Sequence, residues 1–138
     1  MTTPHDRDWL PVFLRLSLAA GFLSAVADRF GLWGPPGATN VAWGDFATFS
    51  SYAAKLNPWA PAGLVPVIGW TATGMEIGLA GALLIGFRLR VVAQVAGVLL
   101  LLFAAGMTVG TGIKTALDAS VLAAAGAAFA LSRLTRAA

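Results

Sequence analysis

From Val91 to Ile113 the chain carries no ionisable side chain. A helix rises about 1.5 Å per residue, so about 20 apolar residues cross the roughly 30 Å of a bilayer's hydrocarbon core. This run is long enough to do so and reads as a membrane-spanning helix. Three further runs qualify: Trp9 to Phe30, Ala62 to Phe87 and, with the weakest signal, Thr115 to Leu134. The composition agrees, because 58% of the 138 residues are hydrophobic, 11% are charged and the mean hydropathy is +0.79. Soluble domains carry about 25% charged residues. The reading is therefore one all-α transmembrane domain over residues 1–138, an integral membrane four-helix bundle with spans 9–30, 62–87, 91–112 and 115–134.

The connections sort the helices. Only Arg88-Leu89-Arg90 separates the second span from the third, and a few residues around Lys114 separate the third from the fourth, so these helices are expected as antiparallel neighbours. The first connection, residues 31–61, is long and aromatic: Trp33, Trp43, Trp59 and Tyr52 suit the aromatic belt at a membrane surface. Within it Asp45 can cap a short helix whose Phe46, Phe49, Ala53 and Leu56 recur at spacings of three and four, until Asn57-Pro58 stops it. That helix is expected along the interface or over the bundle as a lid.

Several function classes fall away on composition. With no cysteine there is no disulfide, thiol redox step, iron–sulfur cluster or thiolate zinc site. One histidine, His5, cannot ligate a haem from both sides, so neither metal nor haem is expected. A pI near 10.2 raises nucleic acid as a partner, yet the basic residues are scattered among apolar runs, as in the loop ends of a membrane protein. Arg7, Arg88, Arg90, Arg133 and Arg136 fall on one side and Arg29, Lys55 and Lys114 on the other, which favours cytoplasmic termini and an outward-facing aromatic loop in a multi-pass protein of a bacterial plasma membrane. Ala25-Val26-Ala27 resembles a signal-peptide cleavage site, but Asp6, Asp8 and Arg15 oppose that reading, and no lipidation motif is present.

Charge in hydrocarbon costs about 2.5 to 3.5 kcal/mol even on insertion scales, so ionisable groups inside spans usually have partners or functions. Arg15 lies six residues into the first span and Glu76 about ten residues from the inner end of the second, at comparable depth if the helices are antiparallel. Gln94 enters the third span from the same side. The three form a candidate polar layer, in which the guanidinium neutralises the carboxylate and the amide satisfies leftover groups. A structural ion pair, a head-group or proton site and an arginine snorkelling to the interface all fit this spacing. Asp8, Arg15, Phe22 and Arg29 stand seven apart and mark the stripe of the first helix that should face the bundle. Asp28, Arg29, Lys114 and Asp118 form a second candidate cluster beneath the loop, or else ordinary charges at helix ends. Gly74-x-x-x-Gly78 and Ala119, Ala123 and Ala127 offer close helix contact, within one chain or between copies. Gly110-x-Gly112 lacks the context of a phosphate loop, and His5 is expected in a solvent-exposed tail.

Arg15-Leu16-x-Leu18 followed by Gly21-Phe22-Leu23, and the run from Glu76-Ile77-Gly78-Leu79 through Gly86-Phe87-Arg88, resemble the DoxX-like family of small membrane proteins. The order of elements, including the long aromatic first loop, extends the resemblance over nearly the whole chain. It implies a four-helix membrane bundle and an association with a thiosulfate:quinone oxidoreductase subunit, with Arg15 and Glu76 at the family's arginine and glutamate and Arg88 at its loop arginine. Without cysteine no sulfur relay through a protein thiol is possible, and an active complex would need a second subunit or domain.

Three functions remain open on the sequence. One is a quinone-interacting subunit of an oxidoreductase, in which Glu76 handles a proton, Arg15 stabilises negative charge and Gln94 completes the quinone site, beside a soluble or membrane redox partner. Another is a non-catalytic scaffold for a soluble partner. The third is a small proton or solute carrier, made whole by homo-oligomerisation, although no inverted repeat or broken helix is evident.

Overall fold

The computed structural model describes residues 9–135, and these contain helices and turns with no strand. The helices are α1 (Trp9–Arg29), α2 (Phe46–Leu56), α3 (Val65–Ile85), α4 (Leu89–Thr111), α5 (Ile113–Asp118) and α6 (Val121–Leu134). Of these, α1, α3 and α4 are long and apolar enough to cross a membrane. The run expected as one helix from Thr115 to Leu134 instead forms two. Ser120 adopts the left-handed conformation at φ 57°, and the Ser120 amide closes a tight turn onto the Leu117 carbonyl. Serine competes for its own backbone and is a poor helix former, so Asp118-Ala119-Ser120 is a weak point in an otherwise apolar run. The 14 residues of α6 reach only about 21 Å.

Helix α1 packs chiefly on α3, α4 chiefly on α6, and α2 touches both α3 and α4. Leu18, Ala19 and Phe22 of α1 meet Leu79, Ala80 and Leu83 of α3, Ala93, Ala96 and Leu100 of α4, and Ala125, Ala128 and Leu131 of α6 in one core. Close approach is concentrated on α4. A Cβ at Gly97 would lie 2.6 Å from the Phe129 ring, and one at Gly110 would lie 2.5 Å from the Lys55 carbonyl oxygen of α2. The expected contact glycines, Gly74 and Gly78, are exposed with open space around them, and Ala119 and Ala123 are likewise exposed. On α6 the packing alanines are Ala125 and Ala128.

The long connection is pinned from below. The Asp28 carboxylate, in the last turn of α1, accepts hydrogen bonds from the amides of Ala42 at 2.8 Å, Trp43 at 2.7 Å and Gly44 at 2.9 Å. Gly44 needs its glycine: φ is 80°, and a Cβ would sit 2.3 Å from the Pro36 nitrogen. Helix α2 then begins as the sequence predicts. Asp45 accepts from the Thr48 amide at 2.7 Å, and that bond holds the exposed carboxyl below its ordinary pKa. At the other end the Asn57 side chain donates to the Ala53 carbonyl at 2.9 Å. The expectations for His5, Arg7, Asp8 and Arg136 concern positions outside the described residues.

Candidate functional site

A charged pair lies between α1 and α3, but the arginine is not the one the spacing singled out. Arg29, the last residue of α1, donates through Nη1 to a carboxylate oxygen of Glu76, and both side chains are 3% exposed. The same nitrogen donates to the Thr73 hydroxyl at 2.9 Å, and that hydroxyl donates to the Gly69 carbonyl at 2.7 Å. The guanidinium carbon sits 3.8 Å from the centre of the Phe49 ring and 5.4 Å from that of Trp43, so α2 and the loop cover the cation with aromatic faces. Arg29 Nε is buried with no hydrogen-bond partner among the described residues.

Helix geometry explains the exchange of partners. Side chains lean toward the N-terminus of their own helix, so in an antiparallel pair Arg29 of α1 and Glu76 of α3 lean toward each other. Arg15 leans the same way as Arg29, which at its level carries it away from Glu76. It reaches the end of α3, where Nε donates to the Leu83 carbonyl at 2.8 Å and Nη2 to the Leu84 carbonyl at 3.0 Å. Those are last-turn carbonyls without helical partners, and the left-handed Gly86 that ends α3 leaves room beside the guanidinium. The expected Arg15–Glu76–Gln94 layer is therefore not assembled. Gln94 is exposed on α4, and Arg15 caps a helix. The second expected cluster also separates: Asp28 binds loop amides, Arg29 binds Glu76, and Lys114 pairs with Asp118 on the surface at 2.5 Å. The seven-residue stripe was the sequence signal that could have found Arg29, since Phe22 and Arg29 are both buried along it.

The pair borders a cavity of about 1310 Å³ between α1 and α3 on one side and α4 and α6 on the other, beneath α2. Leu18, Phe22, Leu99, Phe103, Met75 and Met107 supply much of its apolar wall. Trp43, Phe49 and Tyr52 line it from the connection, with Trp43 5.1 Å from Phe49 and 5.6 Å from Tyr52 between ring centres. Burial raises the Tyr52 pKa above its ordinary value, so the phenol keeps its proton and can donate. Trp43, one of the tryptophans expected in an interfacial belt, helps cover Arg29, whereas Trp33 and Trp59 are exposed. Neither Arg15 nor Gln94 lines the cavity.

A large apolar chamber with one concentrated polar feature is the usual form of a small-molecule site. Here that feature is an ion pair with a spare donor, able to orient an oxygen-bearing head group or to hold a proton on a carboxylate. Among the described residues no group of three or more histidine, cysteine or acidic side chains could hold a metal ion. Compared with protein-family models, curated proteins and solved structures, the chain matches none.

Proposed function

We propose that this chain is a DoxX-like integral membrane protein whose cavity takes a quinone-class molecule, as the membrane subunit of an oxidoreductase complex. The observation that carries this reading is the buried Arg29–Glu76 pair on the wall of an apolar cavity of about 1310 Å³. In the proposed arrangement α1, α3, α4 and the α5–α6 segment make four passes of a bacterial plasma membrane, and α2 lies at the outer interface. Arg88, Arg90 and Arg133 at one end, against Lys55 and Lys114 at the other, support cytoplasmic termini. Arg29 contributes little to that bias, because its charge is neutralised inside the protein.

The residues fit such a ligand. The wall is apolar enough for a ring and part of a tail, and Arg29 carries an N–H without an acceptor among the described residues. A bound quinone supplies the capacity to accept electrons and protons, the electrons coming from a soluble or membrane redox partner. Arg29 orients an oxygen, Glu76 holds or passes a proton, and the protonated Tyr52 adds a donor at the roof. The roles that the spacing suggested for Arg15 and Gln94 pass to Arg29 and Tyr52. Mass spectrometry of molecules that co-purify in native nanodiscs tests this. Wild type should carry near-stoichiometric quinone and a folded Glu76→Gln variant should not; quinone missing from wild type, or equal in both, overturns the reading.

One observation favours a scaffold instead. The Arg29 guanidinium ties α1 to Glu76 and Thr73 of α3 and to Phe49 of α2, as a purely structural pair would. On that reading Glu76→Ala lowers thermal stability while recovery of a soluble partner per folded molecule stays constant.

A further inference from the structure

We infer that the cavity holds an uncharged, long-chain amphiphile drawn from the bilayer, whose oxygen accepts a hydrogen bond from Arg29 beside Glu76. The inference rests on the same site as the proposed function and states what the site requires of any ligand in charge, head group and route of entry. The first argument is electrostatic. Arg29 and Glu76 neutralise each other where both are 3% exposed, so a third charge in the same apolar surroundings would stay uncompensated. A carboxylate or phosphate head would sit against Glu76 and an ammonium against Arg29. A neutral head adds no such cost.

The second argument is the donor inventory. A guanidinium has five N–H groups, and Nη1 spends its two on Glu76 and Thr73. Nε is buried without a partner, and Nη2 meets no acceptor among the described residues. An unpaired buried donor is costly, and a carbonyl or ether oxygen brought against the guanidinium recovers that cost. The preferred head is thus an acceptor and not another donor.

The third argument is the opening. The cavity is partly open, and Val67 and Met75 of α3 and Leu102 and Val109 of α4, all exposed, line it. All four are apolar, so the opening along α3 and α4 is an apolar one. At the depth of the spans this opening meets hydrocarbon, so the ligand enters sideways with its chain already among lipid tails.

Native mass spectrometry in zwitterionic nanodiscs can compare dodecan-2-one, dodecanoate and decylubiquinone. Dodecan-2-one should bind wild type at least about tenfold more tightly than dodecanoate. Arg29→Lys, which keeps a cation for Glu76 but lacks Nε and Nη2, should lose about tenfold for the ketone. Dodecanoate bound as tightly as the ketone, or no binding of either neutral probe, overturns the inference. The wild-type comparison stands even if Arg29→Lys does not fold. Ketone binding without decylubiquinone binding supports this inference and overturns the quinone reading; decylubiquinone bound together with tight dodecanoate does the reverse.

Discussion

Two arginines of one helix, on one stripe, do opposite work. Arg15 is half-buried and spends its donors on backbone carbonyls at the end of α3. Arg29 is fully buried and spends its own on a side-chain carboxylate and a hydroxyl. Both lean toward the start of α1, and the difference follows from what α3 presents at each level: a frayed helix end in one case and an acidic residue in the other. The comparison teaches that depth along a helix does not fix a partner until the direction of the side chain is included.

The sharpest way to break this comparison is to remove one member of the buried pair. Glu76→Ala or Arg29→Ala leaves a lone charge in the interior and should cost about 3 to 5 kcal/mol, seen as a large fall in thermal stability. Replacing both, as Arg29→Met with Glu76→Leu, should restore much of that loss; a double variant as unstable as the worse single one would show that the two are not coupled. Next in size is Gly110→Leu, whose side chain would strike the Lys55 and Leu56 backbone and force α2 away, at about 1 to 3 kcal/mol. Gly78→Ala, with open space around it, should be neutral or slightly stabilising in the same assay.

Arg15→Ala should cost less than either pair variant, about 1 kcal/mol, since two carbonyls lose a donor but no charge is stranded. A loss equal to that of Arg29→Ala would erase the distinction between the two arginines. Smallest of all, Lys114→Ala breaks a surface pair whose side chains are 86% and 63% exposed, and should leave the melting temperature within error.

Much of the fold was legible because hydrocarbon-length apolar runs and one good capping residue are local signals. The runs behind α1, α3 and α4, the Asp45 cap and the Asn57 stop all lie within a few residues of their cause. The break at Ser120 was not, because the run around it is apolar enough to hide a left-handed residue. Nor were the contact glycines, since the spacing of Gly74 and Gly78 matches that of Gly106 and Gly110 and only the partner helix distinguishes them. For the site, Glu76 was found from the cost of charge in a span. Its partner was missed because Arg29, at a helix end, looked like an interfacial residue, although the stripe through Phe22 pointed inward.

The order of synthesis adds a consequence of the buried pair. Arg29 leaves the ribosome 47 residues before Glu76, which at about 5 to 20 residues per second is a wait of roughly 2 to 9 s. Throughout that interval the cation lacks the carboxylate it meets in the folded chain. The buried contact between α1 and α3 can therefore close only after α3 has been made, so the ion pair belongs to the late steps of folding.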